Sequence, residues 1–250
     1  VRTKLNPAWA AYRQATTSML VPVYQYPTLG TFYATCNQLA PVVKYVVANP
    51  ASGPGSSVDP SYAAAISAAQ AAGITVLGYV DTDFALGGVT LATAEANVTE
   101  WNVLYPGVTS IFIDRASSLT GVETSYYQPL CAQIHGVTGA VAVLNFGSVP
   151  DQGYMAFTDI AVIFENDYMN GSWASFLASV PSWVGTYAAS RFSALVYDVP
   201  LPLYMQMVLA QSQAANIGNV YVTDQSAYAF NPWGAQAAYM AAEAATLAAR

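Results

Sequence analysis

Short apolar, β-prone runs recur along this chain, and longer Ala-, Ser- and Thr-rich stretches of helical character lie between them. The pattern predicts strands over 20–26, 42–49, 74–80, 109–114, 140–145, 160–165, 192–198 and 219–224. Most of these runs are almost continuously apolar, the mark of strands buried on both faces of a parallel sheet. Helices are predicted over 60–72, 91–105, 122–135, 203–215 and 234–249, with a short one after the first strand. Asp59-Pro60 opens the 60–72 helix with an N-cap and a proline at the first helical position. Strands alternating with helices specify βαβ units. Eight such repeats in 250 residues specify an α/β fold, a single (β/α)8 TIM barrel over residues 1–250. No linker or shift in composition divides the chain.

Two of the strands end in an acid. Ile111-Phe112-Ile113 runs into Asp114, and Val162-Ile163-Phe164 runs into Glu165. The carboxyl ends of barrel strands carry the chemistry of this fold. One strand-end acid is as often a cap for the following loop; the pair is the stronger signal. On strands four and six, the two acids face each other across one intervening strand. That spacing is compatible with a retaining or an inverting glycosidase. Burial and a like-charged neighbour raise one pKa of such a pair, which assigns Glu165 as general acid and Asp114 as nucleophile or base.

Composition narrows the reading. The chain is 54% hydrophobic and 8% charged, with a net charge of −7 and seven basic residues. Such a balance argues against nucleic acid and suits a neutral or cationic ligand. No apolar run is long enough for a membrane span. Residues 1–7 lack the apolar core of a signal peptide. The uncharged Ala/Ser/Thr-rich surface leads to the expectation of an extracellular protein, secreted or virion-associated. Seven of the fourteen acids fall at or just past strand ends: Asp81, Asp83, Asp114, Glu165, Asp167, Asp198 and Asp224. Glu95, Glu100, Glu123 and Glu243 are assigned to solvated helix faces, Asp59 and Asp151 to caps, and Asp159 to the start of a strand.

The same loops carry Tyr24, Tyr26, Tyr79, Phe84, Phe146, Tyr168, Tyr221 and Trp233, with Asn49, Asn145 and Asn166. Rings that stack on sugar faces, beside amides and acids that bond hydroxyls, describe a carbohydrate groove. The single histidine, His135, ends a predicted helix, and Cys36 and Cys131 lie on separate helices, so neither a disulfide nor a metal cluster is expected. No glycine-rich phosphate loop follows a strand. Hydrolysis without metal or cofactor is the chemistry that remains.

The motifs also resemble a known family. Val21-Pro22-Val23-Tyr24, Asn49-Pro50-Ala51-Ser52-Gly53-Pro54-Gly55, Gly78-Tyr79-Val80-Asp81-Thr82, Ile111-Phe112-Ile113-Asp114, Asn145-Phe146-Gly147, Phe164-Glu165 and Tyr221-Val222-Thr223-Asp224 occur in the order found in the spherulin 4-like family. That family includes fungal endo-α-1,4-N-acetylgalactosaminidases of glycoside hydrolase family 135. The resemblance implies a (β/α)8 barrel that hydrolyses a galactosamine-containing or related microbial surface polysaccharide, with Asp114 and Glu165 as its acids. A partly deacetylated, cationic polymer would suit the acidic rim, and a phage-tail depolymerase is a version of the same activity.

The family usually places a glutamate directly after the strand-four aspartate. Here Arg115 stands in that position, expected to hold Asp114 ionised or to contact substrate. The substitution motivates a contrasting expectation, a non-catalytic carbohydrate-binding or virion structural barrel.

Overall fold

The computed structural model describes residues 17–228 and 231–249. Its eight strands form one all-parallel sheet in sequence order. They are β1 (Met19–Val23), β2 (Val43–Ala48), β3 (Thr75–Asp81), β4 (Ser110–Asp114), β5 (Ala142–Asn145), β6 (Ile160–Asp167), β7 (Phe192–Tyr197) and β8 (Asn219–Val222). A parallel bridge between Ser18 and Asn219 brings the last strand back to the first. The architecture is the expected (β/α)8 barrel. The segment 1–7 lies outside the described residues.

Helices follow the strands: α1 (Phe32–Gln38), α2 (Pro60–Ala71), α3 (Leu91–Leu104), α4 (Gln128–His135), α5 (Ser172–Ser179), α6 (Pro202–Ala214) and α7 (Met240–Ala248). After β5 the α-helix is replaced by a 3-10 turn, Gln152–Ala156, capped by Asp151. The α2 start is as read: Asp59 accepts from the backbone N–H groups of Ser61 and Tyr62, with Pro60 at the first position. Three expectations shift. The first strand stops at Val23, leaving Tyr24 and Tyr26 in the loop; α5 was not predicted; and the last helix begins at Met240 rather than 234.

Packing of helices onto the barrel explains two sequence features. Gly78 of β3 lies under the indole of Trp101 on α3, where a Cβ would come within 2.5 Å of the ring. The fully buried indole then donates to the Tyr79 carbonyl at 2.8 Å. On β6, the register slips by one residue between Val162 and Phe164. Such a bulge re-aims the side chains beyond it. Phe164 then packs outward against Trp173 and Phe176 of α5, leaving Glu165, the next residue, for the opposite face.

The seam between β8 and β1 is closed at only one end. Ser18 donates to Gly218 O and Val220 donates to Ser18 O, each at 2.9 Å. Two residues further on, Val222 N donates to Oε1 of Glu243 at 2.9 Å. Glu243 was expected on a solvated face, but it has no exposed surface. Its carboxyl satisfies a strand N–H that pairs with no strand carbonyl. Burial pushes that carboxyl well above the usual range, against the Val222 N–H.

Candidate active site

The amide of Asn145, at the end of β5, joins the two predicted acids. Its Nδ2 donates to Asp114 Oδ1 at 2.7 Å and also to Glu165 Oε2. The amide is oriented by Gly147 N, which donates to Oδ1 at 3.2 Å. Gly147 does this with φ at +63°, the left-handed region glycine tolerates. Because both carboxylates bond the same nitrogen, their nearest oxygens lie no farther apart than two hydrogen-bond lengths, less than about 6 Å.

Each carboxylate has a second donor. Tyr79 donates its hydroxyl to Asp114 Oδ2 at 2.7 Å. It can reach because β3 and β4 are in register, with Tyr79 beside Phe112 and Asp81 beside Asp114. Residues two apart on a strand share a face, so Asp114 extends the line of Phe112, whose ring stacks on Tyr79. Trp233 donates from Nε1 to Glu165 Oε1 at 2.8 Å. Its loop is anchored where Tyr24 N donates to Trp233 O at 2.9 Å.

These environments act on protonation. Burial, and then the charge of Asp114, push Glu165 up to about 7, although the Asn145 and Trp233 N–H groups favour its ionised form. The Tyr79 phenol is raised, first by burial and then by the Asp114 charge. Tyr24 crosses Tyr79 edge-on at 5.9 Å and is raised by burial and by both carboxylates. A cavity of about 350 Å³ opens beside Glu165 between Tyr197, Ala227, Asn231, Pro232 and Trp233. Tyr197, a site residue that the sequence does not single out, ends β7 one position before Asp198. A larger cavity, about 540 Å³, opens at the other end of the barrel. There His135 pairs with Asp159 at 2.7 Å and Arg191 donates to three backbone carbonyls.

Other predicted site residues serve the loops. Arg115 turns away from the pair: it donates to Asp81 through Nε at 2.8 Å and through Nη2, and its Nη1 lies 2.9 Å from Asp83 Oδ1. Burial works to raise Asp81, but the guanidinium and the Asp83 N–H hold it below the usual carboxylate range. Asn49 accepts from Gly53 N at 3.1 Å and shapes its own loop. Tyr26 donates to the Asp59 carboxylate, and Tyr168 stacks on Tyr204. Asp224 accepts from Ala238 N at 3.0 Å. Asp198, at φ +59°, bonds Gln225 O through its own N–H. Tyr221 corrects the expectation of a substrate contact. It has no exposed surface, packs against Phe32 and Trp233, and accepts from Ala237 N.

Among the described residues, no three His, Cys, Asp or Glu side chains gather as a metal site requires. Cys36 and Cys131 are buried free thiols. No helix of the described residues is long and apolar enough to cross a membrane.

Comparison with known proteins adds a family and a set of folds. The family profile described as Spherulation-specific family 4 matches residues 18–245. Spherulin-4 of Physarum polycephalum is 33% identical over 215 residues, covering 84% of this chain and 64% of the relative. The chain thus spans just under two thirds of that relative's length. Among solved structures, Aspergillus clavatus Sph3 in complex with GalNAc superposes with a TM-score of 0.79 at 21% identity, covering 93% of this chain and 97% of that one. A GH113 β-1,4-mannanase superposes at 0.57 with 10% identity, covering 95% of this chain and 100% of the other. At these identities the superpositions speak to the fold.

Proposed function

This chain belongs to the spherulation-specific family 4, and from that premise we propose that it is an endo-acting glycoside hydrolase. The observation that carries the reading is the single Asn145 amide bonded to both Asp114 and Glu165 at the carboxyl end of the barrel. Two acids held within two hydrogen-bond lengths of each other, closer than the roughly 6.5 Å at which inverting pairs begin, with one of them held protonated toward neutral pH, are the equipment of a retaining glycosidase. Support for a sugar polymer comes from the family, from the GalNAc bound to the superposable Sph3, and from the aromatic lining beside Glu165. The substrate proposed is a polysaccharide containing N-acetylgalactosamine or galactosamine at a microbial surface, met outside the cell.

In this mechanism Glu165, protonated, gives its proton to the glycosidic oxygen as the bond to the anomeric carbon breaks. Asp114 attacks the same carbon from the opposite face and forms a glycosyl ester. Glu165, now ionised, takes a proton from water, and that water displaces Asp114. Asn145 holds both carboxylates at a fixed separation through the two steps. Tyr79 stabilises the Asp114 carboxylate when it leaves. Arg115 does not enter the chemistry, since its guanidinium bonds Asp81 and Asp83. The departure from the family pattern therefore leaves the acid pair in place, which favours an enzyme over a purely binding barrel.

Mass spectrometry of the products from α-1,4-linked N-acetylgalactosamine polymer tests the reading. A ladder of internal cleavage products from the wild type and none from Glu165→Gln is expected. Monosaccharide alone would contradict an endo mode, and no product from this or related envelope glycans would contradict hydrolysis.

A further inference from the structure

The β3–β4 corner holds an arrangement that the cleavage chemistry does not use. Asp83, Phe84 and Ala85 are three consecutive non-glycine residues at positive φ, 46°, 55° and 56°. Left-handed backbone costs an L-residue about 1–2 kcal/mol, and a run of three persists only where its neighbours over-determine it. Here they do. Phe84 N donates to Arg115 O at 2.7 Å, and Ala85 N to Thr82 O at 2.9 Å. The buried Thr82 hydroxyl bonds the carbonyls of Asp114 and Arg115 at 2.9 and 3.1 Å. Arg115, itself at φ +49°, then binds the side chains that lead into and open the turn, Asp81 and Asp83.

What this network produces is a phenylalanine ring held out toward solvent. Phe84 is 42% exposed, and the Arg115 guanidinium carbon lies 5.7 Å from its ring centroid. Folding alone gives no reason to strain three residues in order to expose an aromatic ring. A ligand does. The geometry points to Phe84 as a carbohydrate-stacking platform, a subsite on the β3–β4 side of the groove, with the Asp81–Arg115–Asp83 clamp as its positioning element. The assignment rests on the glycoside hydrolase reading.

The chemistry of the site selects its occupant. A pyranose has a C–H face that covers an aromatic ring, and the flanking acids are both bound to the guanidinium, so the platform takes an uncharged sugar unit. Because Phe84 N is bonded to the residue after Asp114, the platform is tied through the backbone to the proposed nucleophile. On this assignment it engages a unit of the polymer beyond the reacting one.

Calorimetric binding of short and long α-1,4-linked N-acetylgalactosamine oligosaccharides tests this, with Glu165→Gln protein as the parent so that nothing is turned over. Phe84→Ala in that background is expected to weaken the long oligosaccharide about tenfold, the order for one aromatic contact, and to leave the short one unchanged. Phe84→Trp restores the long ligand, and Arg115→Gln weakens it as Phe84→Ala does. Equal affinity of Phe84→Ala and parent for the long oligosaccharide would overturn the platform, as would equal loss for both lengths without rescue by Phe84→Trp. Turnover by wild type is read separately. Cleavage with Phe84 silent defeats the platform alone, and Phe84-dependent binding without cleavage defeats hydrolysis alone. No binding of either length to the parent defeats both.

Discussion

The indole N–H of Trp233 donates to the carboxylate of Glu165 at 2.8 Å, across 68 positions of sequence. Trp233 comes from the loop after β8 and Glu165 from β6, so the bond spans β7 and bears on the protonation of the proposed acid. An N–H donor favours the carboxylate, and this one works against burial and the Asp114 charge, which together raise Glu165 to about 7.

The basic limb of the kcat–pH profile is therefore expected to fall as pH rises through about 7, where Glu165 loses the proton it must donate. Trp233→Phe removes a donor to the ionised form, so the limb moves to higher pH. A limb that stays in place, or moves down, would exclude Glu165 as the group titrating.

Asn145→Ala takes a donor from each carboxylate at once. Loss of this one positioning group is expected to lower kcat about 10²–10³-fold. KM should change much less, because the amide acts on the acids rather than on the polymer. Initial-rate kinetics on one oligosaccharide check the split.

Gly78→Ala would drive a methyl group into the Trp101 indole, which its bond to Tyr79 O holds in place. Overpacking of this kind costs about 1–3 kcal/mol. For a chain of this size each kcal/mol lowers Tm by about 2–4 °C. Thermal unfolding of the variant is expected to show that loss, and relief by the double variant Gly78→Ala/Trp101→Phe.

Glu243 bears on stability rather than on activity. Its folded pKa is raised, so its contribution is fully present below the unfolded carboxyl value of about 4.3 and is lost as pH rises above it. Glu243→Gln does not titrate. The Tm difference between variant and wild type is expected to move in the variant's favour as pH is raised from acid to alkaline. A pH-independent difference would show that Glu243 has an ordinary pKa.

Some of this was legible in the sequence and some was not, for physical reasons. Asp114 and Glu165 stand out because a buried parallel strand is apolar throughout, and a carboxylate at its end marks the point of emergence. The same continuity conceals which face each residue takes. Tyr221 therefore reads as a rim residue, while in the structure it lies wholly in the core. Its sequence position sets Arg115 beside Asp114, but its positive φ carries the guanidinium to Asp81 and Asp83. Glu243 reads as solvated because it lies on an Ala-rich helix; the Val222 N–H that it satisfies belongs to the barrel seam, which has no local signature. Trp233 reads as a sugar contact, whereas its bond to Glu165 depends on how the segment from residue 231 packs over the barrel.

The most direct test of the central claim is reducing-end release from α-1,4-galactosaminan, N-acetylated and partly deacetylated, by wild type, Asp114→Asn and Glu165→Gln in parallel. The account predicts release by the wild type and a loss of at least about 10²-fold in each variant. Undiminished release by either variant, or none by the wild type from any such polymer, would contradict the assignment of Asp114 and Glu165 as the cleaving pair.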